Sequence, residues 1–324
     1  MCLSSLPALP VGRGLTGALR WTSERLICAG QRSLRLAPDR MAIRNAGYDF
    51  TLARLHLQLS GSAPITLASP WPAALAFGSI AAYVLLVAWA NSTTWWRARA
   101  RGLEKAHYAG LCVYSAACFL AAAFELVASG EGADFVAWLA SRDPARAPPR
   151  LYCSPMSASL RLVSLSFIAS KAWEWGDTLM LIAGGKSLGD IGALHLYHHA
   201  TTVFLFLFVS SFPVTEKSGL LLNAAVHTLM YYHFAFRLPR FLRPLLTGTQ
   251  IVQLVVVTYA WVDCARVCDE AIAYKRDFPL DFAAPFLTVP VYIVLFVKFF
   301  FKQYVFKTGG AEGDKEVAKK EKAL

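Results

Sequence analysis

Charged residues are scarce in this chain: they make up 16% of its 324 residues, whereas 56% are hydrophobic. A water-soluble domain needs more charge than this on its surface, so the composition excludes an ordinary soluble globular protein. The mean hydropathy of +0.43 indicates that much of the apolar surface faces a lipid bilayer. The aromatic fraction of 13% agrees, because Trp and Tyr collect at membrane interfaces.

Cysteines are few, and acidic residues are outnumbered by basic ones. The seven cysteines include no Cys-x-x-Cys pair, which argues against a zinc site and against a framework of disulfides. The net charge is +11, but the basic residues lie in the tails and between apolar runs. Because no RNA- or DNA-binding motif accompanies them, we expect no nucleic-acid partner. The positive charge is instead consistent with residues that set the orientation in the membrane, contact anionic lipid head groups or bind a phosphorylated substrate.

The chain divides into three predicted regions. Residues 1–69 carry eight Arg and three acidic residues without a clear membrane span, which suits an organellar transit segment, an unstructured tail or an extension upstream of a start at Met41. We favour the tail or the extension. Residues 70–306 hold the apolar runs. Residues 307–324 form a Lys-rich tail, whose lysines third and fifth from the end match a dilysine retrieval signal of the endoplasmic reticulum, or are simply solvated.

Seven apolar runs are each long enough to cross a bilayer as a helix of about 20 residues. They are 71–91, 107–128, 159–183, 190–212, 217–236, 243–263 and 282–304. Because lipid cannot satisfy the edges of an open sheet, we predict an all-α polytopic membrane protein with seven transmembrane helices. The basic loops place the C-terminus in the cytosol and the N-terminus in the lumen, although the Arg-rich N-terminal tail and loop 129–158 favour the opposite orientation.

Polar side chains at helical spacing interrupt four of these runs, and each set lies on one helix face. The sets are Lys171, Glu174, Asp177 and Thr178; His195, His198, His199 and Thr202; Asn223, His227 and Tyr231; and Thr247, Gln250 and Gln253. A charged group in lipid costs about 2.5–3.5 kcal/mol, so each face must turn away from lipid. All four sets fall in the same half of the membrane, which predicts one polar chamber open to the cytosol. Plain interhelical bonding stays open as an alternative, above all for the last set.

These sets, in this order over residues 171–253, resemble the motifs of the ELO family. The ELO proteins are fatty acid elongases, or 3-ketoacyl-CoA synthases, of the endoplasmic reticulum membrane. The resemblance implies that acyl-CoA and malonyl-CoA condense to 3-ketoacyl-CoA, with release of CO2 and CoA, at the mouth of a narrow acyl tunnel and without a cofactor. It also implies that the reductase and dehydratase of the elongation cycle are partners. The family's Tyr-x-Tyr-Tyr reads Tyr231-Tyr232-His233-Phe234 here, so His233 and Phe234 receive no role.

The resemblance also implies roles for the histidines. We expect His198 to carry the acyl group, with His227 close enough to take part, because the polar faces contain no Cys that would serve as nucleophile. His195 and His199 would orient His198, act as base or stabilise the enolate that decarboxylation leaves.

The remaining polar residues would bind and position the substrates. Asn223 and Gln250 are candidate donors to thioester oxygens, and Lys171, Glu174 and Asp177 would organise the chamber. A basic rim is expected to hold the phosphates of CoA. Its residues are Lys186, Arg237, Arg240 and Arg243.

Three questions stay open at this point. A di-iron desaturase also uses histidine boxes, although its pattern needs about eight His ligands and this chain has seven His in total. A seven-helix receptor or transporter is the non-enzymatic alternative. A disulfide on the lumenal side, from Cys153 to Cys264 or to Cys268, is a further possibility.

Overall fold

The computed structural model describes residues 70–141, 150–154, 156–209 and 213–306, and these residues form helices and no β-strand. The predictions made for the two tails, 1–69 and 307–324, lie outside the described residues. The α-helices are α1 Pro70–Ser92, α2 Arg97–Arg101, α3 Glu104–Ala128, α4 Glu131–Ser141, α5 Arg150–Cys153, α6 Ala158–Trp173, α7 Trp175–Ala183, α8 Leu188–Val209, α9 Pro213–Phe236, α10 Arg243–Val267, α11 Asp269–Asp277, α12 Pro279–Ala283 and α13 Val289–Phe300. Two 3₁₀ turns, Arg240–Leu242 and Ala284–Leu287, and a π-helical turn, Phe301–Val305, complete the order. The all-α prediction is confirmed.

Five helical stretches of the described chain are long and apolar enough to cross a bilayer. They are Ala74–Ser92, Glu104–Ala128, Leu188–Phe208, Arg240–Val267 and Pro279–Val305. These stretches coincide with five of the seven predicted runs. Run 159–183 is divided between α6 and α7, and run 217–236 lies in α9, where polar residues reduce the apolar character. The structure therefore supports a membrane protein with several apolar spans, and the count of seven stays a prediction.

Three backbone breaks position the polar segments. Glu174 separates α6 from α7, so its motif does not lie on one continuous helix as predicted. After α7, Gly185 takes a φ of +89°, and the Gly185 and Lys186 amides donate to carbonyls of the last helical turn, which is the usual Gly-terminated helix end. Within α8, Gly192 has φ +84° and ψ 162°, a conformation essentially restricted to glycine. The histidine box, His195-Leu196-Tyr197-His198-His199, lies on the regular part of α8 after this break.

Helix α9 lies at the centre of the packing. It packs most extensively against α3 and next against α10, while α8 packs against α1 and α13. Leu220, Ala224 and Tyr231 of α9 are fully or almost fully buried. His227 of α9 is also 4% exposed, so His227 and Tyr231 are surrounded by protein, which is the condition under which such polar groups are tolerated in membrane proteins.

A disulfide joins Cys153, at the end of α5, to Cys268, between α10 and α11, with an S–S distance of 2.07 Å. Of the two pairings that the sequence left open, the structure contains this one. Cys264 is a free, buried thiol.

A buried ionic cluster near the start of α9 was not predicted. The Lys217 ammonium donates to both carboxylate oxygens of Glu131, at 2.9 and 2.7 Å, and to the Ser154 carbonyl at 3.0 Å. On the other side, Glu216 pairs with Arg161. These contacts tie α9 to α4 and α6 at the end remote from the histidine box.

Candidate functional site

A cavity of about 480 Å³ lies among α7, α8, α9, α10 and α13. Nine of the thirteen predicted site residues line it: Asp177, His195, His198, His199, Asn223, His227, Thr247, Gln250 and Gln253. Elsewhere the wall is mainly apolar, with side chains such as Leu205, Phe206, Val257, Trp261 and Val289. Polar groups from four segments and a large apolar surface thus face one space.

The other four predicted residues, Lys171, Glu174, Thr178 and Tyr231, lie behind this wall. The Lys171 ammonium donates to Glu174 Oε1 at 2.7 Å and to Asn223 Oδ1 at 3.0 Å. The Lys171 side chain is 0% exposed and that of Glu174 is 2% exposed. His227 Nδ1 lies 3.2 Å from the same Glu174 oxygen, but without the alignment of a hydrogen bond. The ion pair therefore stands directly behind two cavity residues, Asn223 and His227.

Asp177 connects three helices to the cavity wall. Its Oδ1 accepts a hydrogen bond from His107 Nε2 of α3 at 2.8 Å. Its Oδ2 accepts one from the Tyr231 hydroxyl of α9 at 2.9 Å. His199 Nε2 of α8 lies 3.8 Å from Oδ2. The carboxylate therefore lies among two imidazoles and a phenol.

A second polar chain holds the start of the histidine box. His195 Nε2 is hydrogen bonded to Thr178 Oγ1 at 2.9 Å, and Thr178 Oγ1 is bonded to the Tyr83 hydroxyl of α1 at 2.9 Å. The rings of His195 and His199 have centroids 4.3 Å apart. His195 is therefore oriented from behind by groups that do not line the cavity.

His198 has a different environment from its neighbours. Its ring packs against Tyr292 and Phe296 of α13, with centroid distances of 5.1 and 6.4 Å. Across the described part of the chain, no hydrogen bond to this ring is found. His198 lines the cavity. Its ring nitrogens are therefore next to the cavity and are not engaged in hydrogen bonds with other described residues.

The polar residues of α10 line the cavity and also join helices. Gln250 Nε2 donates to Met230 Sδ of α9 at 3.4 Å, and Thr247 Oγ1 lies 3.3 Å from the Tyr304 hydroxyl. Gln253 Oε1 is buried and has no hydrogen-bond partner among the described residues. The polar residues of α10 therefore line the cavity, and two of them also bond other helical segments.

Several residues of this region were missed or left without a role. His107 and Tyr83 stand alone in apolar runs, and a single polar residue carries no periodic signal. His233 and Phe234 line the cavity, and His233 Nδ1 accepts the Leu238 amide at 2.9 Å.

Of the predicted basic rim, Lys186 and Arg243 line the cavity, whereas Arg237 and Arg240 are not among its lining residues. Within the described ranges, no three His, Cys, Asp or Glu side chains converge as a metal ion requires. The cofactor-free reaction stays a prediction.

Comparison with known proteins places this architecture in a family. Long chain fatty acid elongase 2 of Caenorhabditis elegans is 31% identical over 159 residues, which cover 47% of this chain and 57% of that protein. Very long chain fatty acid elongase 6 of Homo sapiens is 31% identical over 166 residues, covering 48% of this chain and 58% of that protein. The chain thus spans a little over half the length of the curated relatives it matches, and no solved structure matches it. The profile of ELO, the GNS1/SUR4 family, matches residues 66–312, and over that length the chain belongs to this family.

Proposed function

We propose that this protein is a very-long-chain fatty acid elongase that condenses acyl-CoA with malonyl-CoA to 3-ketoacyl-CoA. The observation that carries the proposal is a single cavity that joins His198 and its neighbouring imidazoles to a mainly apolar wall. The polar part suits a thioester carbonyl, and the apolar part suits an alkyl chain. A volume of about 480 Å³ also lies within the usual range for ligand pockets, about 300–1,000 Å³. Relatives that are named fatty acid elongases support the same class of reaction.

His198 is the proposed nucleophile. A ring nitrogen attacks the acyl-CoA carbonyl carbon, the C–N bond forms, the C–S bond breaks, and CoA leaves as a thiolate that takes up a proton. Malonyl-CoA then loses CO2, and its enolate carbon attacks the acyl group on His198. The C–C bond forms as the C–N bond breaks, which regenerates the imidazole. His227 lines the same cavity and is assigned to assist this acyl transfer.

Stabilisation of the developing negative charge is assigned to neighbouring groups. His195 and His199 are close to each other in the box and can donate to the enolate or accept a proton. Asn223 and Gln250 line the cavity with amide groups, which are suitable donors to thioester oxygens. Lys186 and Arg243 supply the positive charge for the phosphates of CoA.

We further propose that the chain crosses the membrane seven times, with the cavity mouth and the C-terminus in the cytosol, as a resident of the endoplasmic reticulum. The support is physical: Glu216, Lys217 and His227 of α9 are buried in the protein, so α9 can lie at membrane depth without presenting these groups to lipid. The Lys171–Glu174 pair, at the junction of α6 and α7, is buried as well, so it is also shielded from lipid. Glycosylation acceptor sites introduced into successive loops, expressed with endoplasmic reticulum membranes, would test the orientation of each loop.

The proposed product defines the proposed partners. A 3-ketoacyl-CoA must be reduced and dehydrated before another two-carbon unit is added, so the reductase and dehydratase of the cycle are expected to associate with this protein. Co-purification from mild detergent of enzymes that reduce the ketone and dehydrate the hydroxyl would support this association.

The decisive experiment uses the purified protein, acyl-CoA of graded length and radiolabelled malonyl-CoA. We expect a 3-ketoacyl-CoA product, and no product with any acyl-CoA would refute the function. His198→Ala is expected to abolish turnover. Tyr197→Phe is the matched control, because the Tyr197 hydroxyl bonds the Leu287 carbonyl and this residue does not line the cavity. Incubation with acyl-CoA alone should leave an acyl mass on the peptide containing His198, and a His198→Ala protein that elongates normally would refute the nucleophile.

A further inference from the structure

One histidine outside every motif contacts the site from behind. We propose that His107 is a positioning residue, whose hydrogen bond to Asp177 holds this carboxylate in place for the Tyr231 hydroxyl and for His199. The consequence for turnover rests on the proposed function. The pairing itself rests on the geometry of the site.

The first observation is the contact between His107 and Asp177. His107 lies in the first turn of α3, and its Nε2 is 2.8 Å from Asp177 Oδ1, with side chains only 9% and 3% exposed. An ionised carboxylate only accepts hydrogen bonds, so Nε2 carries the proton. Because the pair is largely shielded from water, little solvent is available to replace this bond if His107 is removed.

The second observation is that the backbone next to Asp177 leaves room for this ring. A Cβ atom added at Gly176 would lie 2.5 Å from His107 Cε1, which is closer than two such atoms approach in proteins. The edges and faces of Tyr108 and Trp173 enclose the ring, with centroid distances of 5.4 and 6.3 Å. The ring is therefore held in one place, and Gly176 is what allows it to approach.

The third observation is the position of Asp177 between His107 and the cavity. Asp177 lines the cavity, whereas His107 does not. With Oδ1 engaged by His107, Oδ2 is directed to the Tyr231 hydroxyl at 2.9 Å and lies 3.8 Å from His199 Nε2. Without the bond to Oδ1, Tyr231 holds the carboxylate through Oδ2 alone, and its orientation toward His199 is less restricted. His107 thus acts on the reaction through Asp177.

Two substitutions separate the hydrogen bond from packing. His107→Phe keeps a flat ring and removes the donor, whereas His107→Gln places an amide NH2 near the position of Nε2 and removes the ring. We expect His107→Phe to lower kcat by about tenfold to a hundredfold with little change in KM, since small displacements of positioned groups have effects of this size. His107→Gln should recover most of this loss. The opposite order, with Phe active and Gln inactive, would show a packing role and overturn the proposal.

A backbone variant tests the same geometry without changing His107. Gly176→Ala should displace the ring and reduce kcat as His107→Phe does. Gly248→Ala in α10 is the matched control, because an added Cβ there meets no atom within 4 Å. Equal activity of the two glycine variants would contradict the proposal.

Thermal unfolding of His107→Phe, Asp177→Asn and the double variant gives a result that does not depend on activity. If the two side chains are coupled, the double variant should lose less in melting temperature than the sum of the single losses. Additive losses would overturn the pairing even in an active enzyme. An inactive wild-type protein with coupled losses would refute the elongase function and leave the pairing supported.

Discussion

Removal of either partner of the buried Lys171–Glu174 ion pair is expected to destabilise the protein strongly. The Nζ–Oε1 distance is 2.7 Å and the side chains are 0% and 2% exposed, so water cannot solvate the charge that remains. Breaking a buried pair of this kind costs about 3–5 kcal/mol. The loss of stability for Lys171→Met should be near the lower limit of this range. His227 Nδ1 lies 3.2 Å from the same Glu174 oxygen, and a protonated His227 would partly neutralise the carboxylate. Glu174→Gln should lose an amount near the upper limit, because no carboxylate then neutralises the buried ammonium, whose other hydrogen bond is to the uncharged Asn223 at 3.0 Å.

The assay is reversible unfolding in mixed micelles, followed by loss of helical circular dichroism. Arg276→Gln is the matched control: the Arg276 Nε and Asp277 Oδ1 atoms are 2.8 Å apart, but the side chains are 74% and 30% exposed. Exposed ion pairs contribute little to stability, so this variant should unfold at the same denaturant concentration as the wild type.

The double variant Lys171→Met/Glu174→Gln tests the reasoning further. It leaves no unpaired charge, so it should be more stable than Glu174→Gln alone. The argument from burial would fail if the single variants were as mild as Arg276→Gln, or if the double variant lost the sum of both single losses.

Three further outcomes are expected. Cys268→Ser should lower the unfolding temperature and change the mobility on non-reducing gels, because it opens a disulfide between residues 115 positions apart. Cys264→Ser is the control: it removes a free thiol and should leave the mobility unchanged. Gly192→Ala should lower the free energy of unfolding by about 1–3 kcal/mol and reduce kcat, because φ +84° is strained for any residue with a Cβ. Gly189→Ala should change neither quantity, because an added Cβ there makes only an ordinary 3.7 Å contact. Lys186→Gln should raise KM for malonyl-CoA and leave kcat unchanged, because a cation that binds CoA phosphates acts equally on substrate and transition state; an unchanged KM would remove Lys186 from the rim.

The polar faces were predictable from the sequence for a specific physical reason. Lipid makes a polar residue in an apolar run costly unless it faces protein, so the spacing of His195, His198 and His199 already indicates a shared interior side. The same reasoning predicts that Asn223 and His227 face the same interior. The structure places all five on one cavity wall.

Other features could not be predicted because they depend on contacts between distant segments. The spacing of Lys171, Glu174 and Asp177 suggested one continuous helix, but Glu174 separates α6 from α7. His107 has no periodic partner in its own helix, so its role beside Asp177 depends on how α3 packs.

The helical class, the apolar spans and the residues that must avoid lipid could all be predicted from the sequence, because they follow from local composition and from the period of the α-helix. Which side chains meet across helices became visible only in the folded structure: which cysteine pairs with Cys153, which imidazole bonds Asp177, and that His195 is the box imidazole with a hydrogen bond to another side chain among the described residues. Such pairings are set by helix packing over long sequence separations, and the period of a single helix carries no information about them.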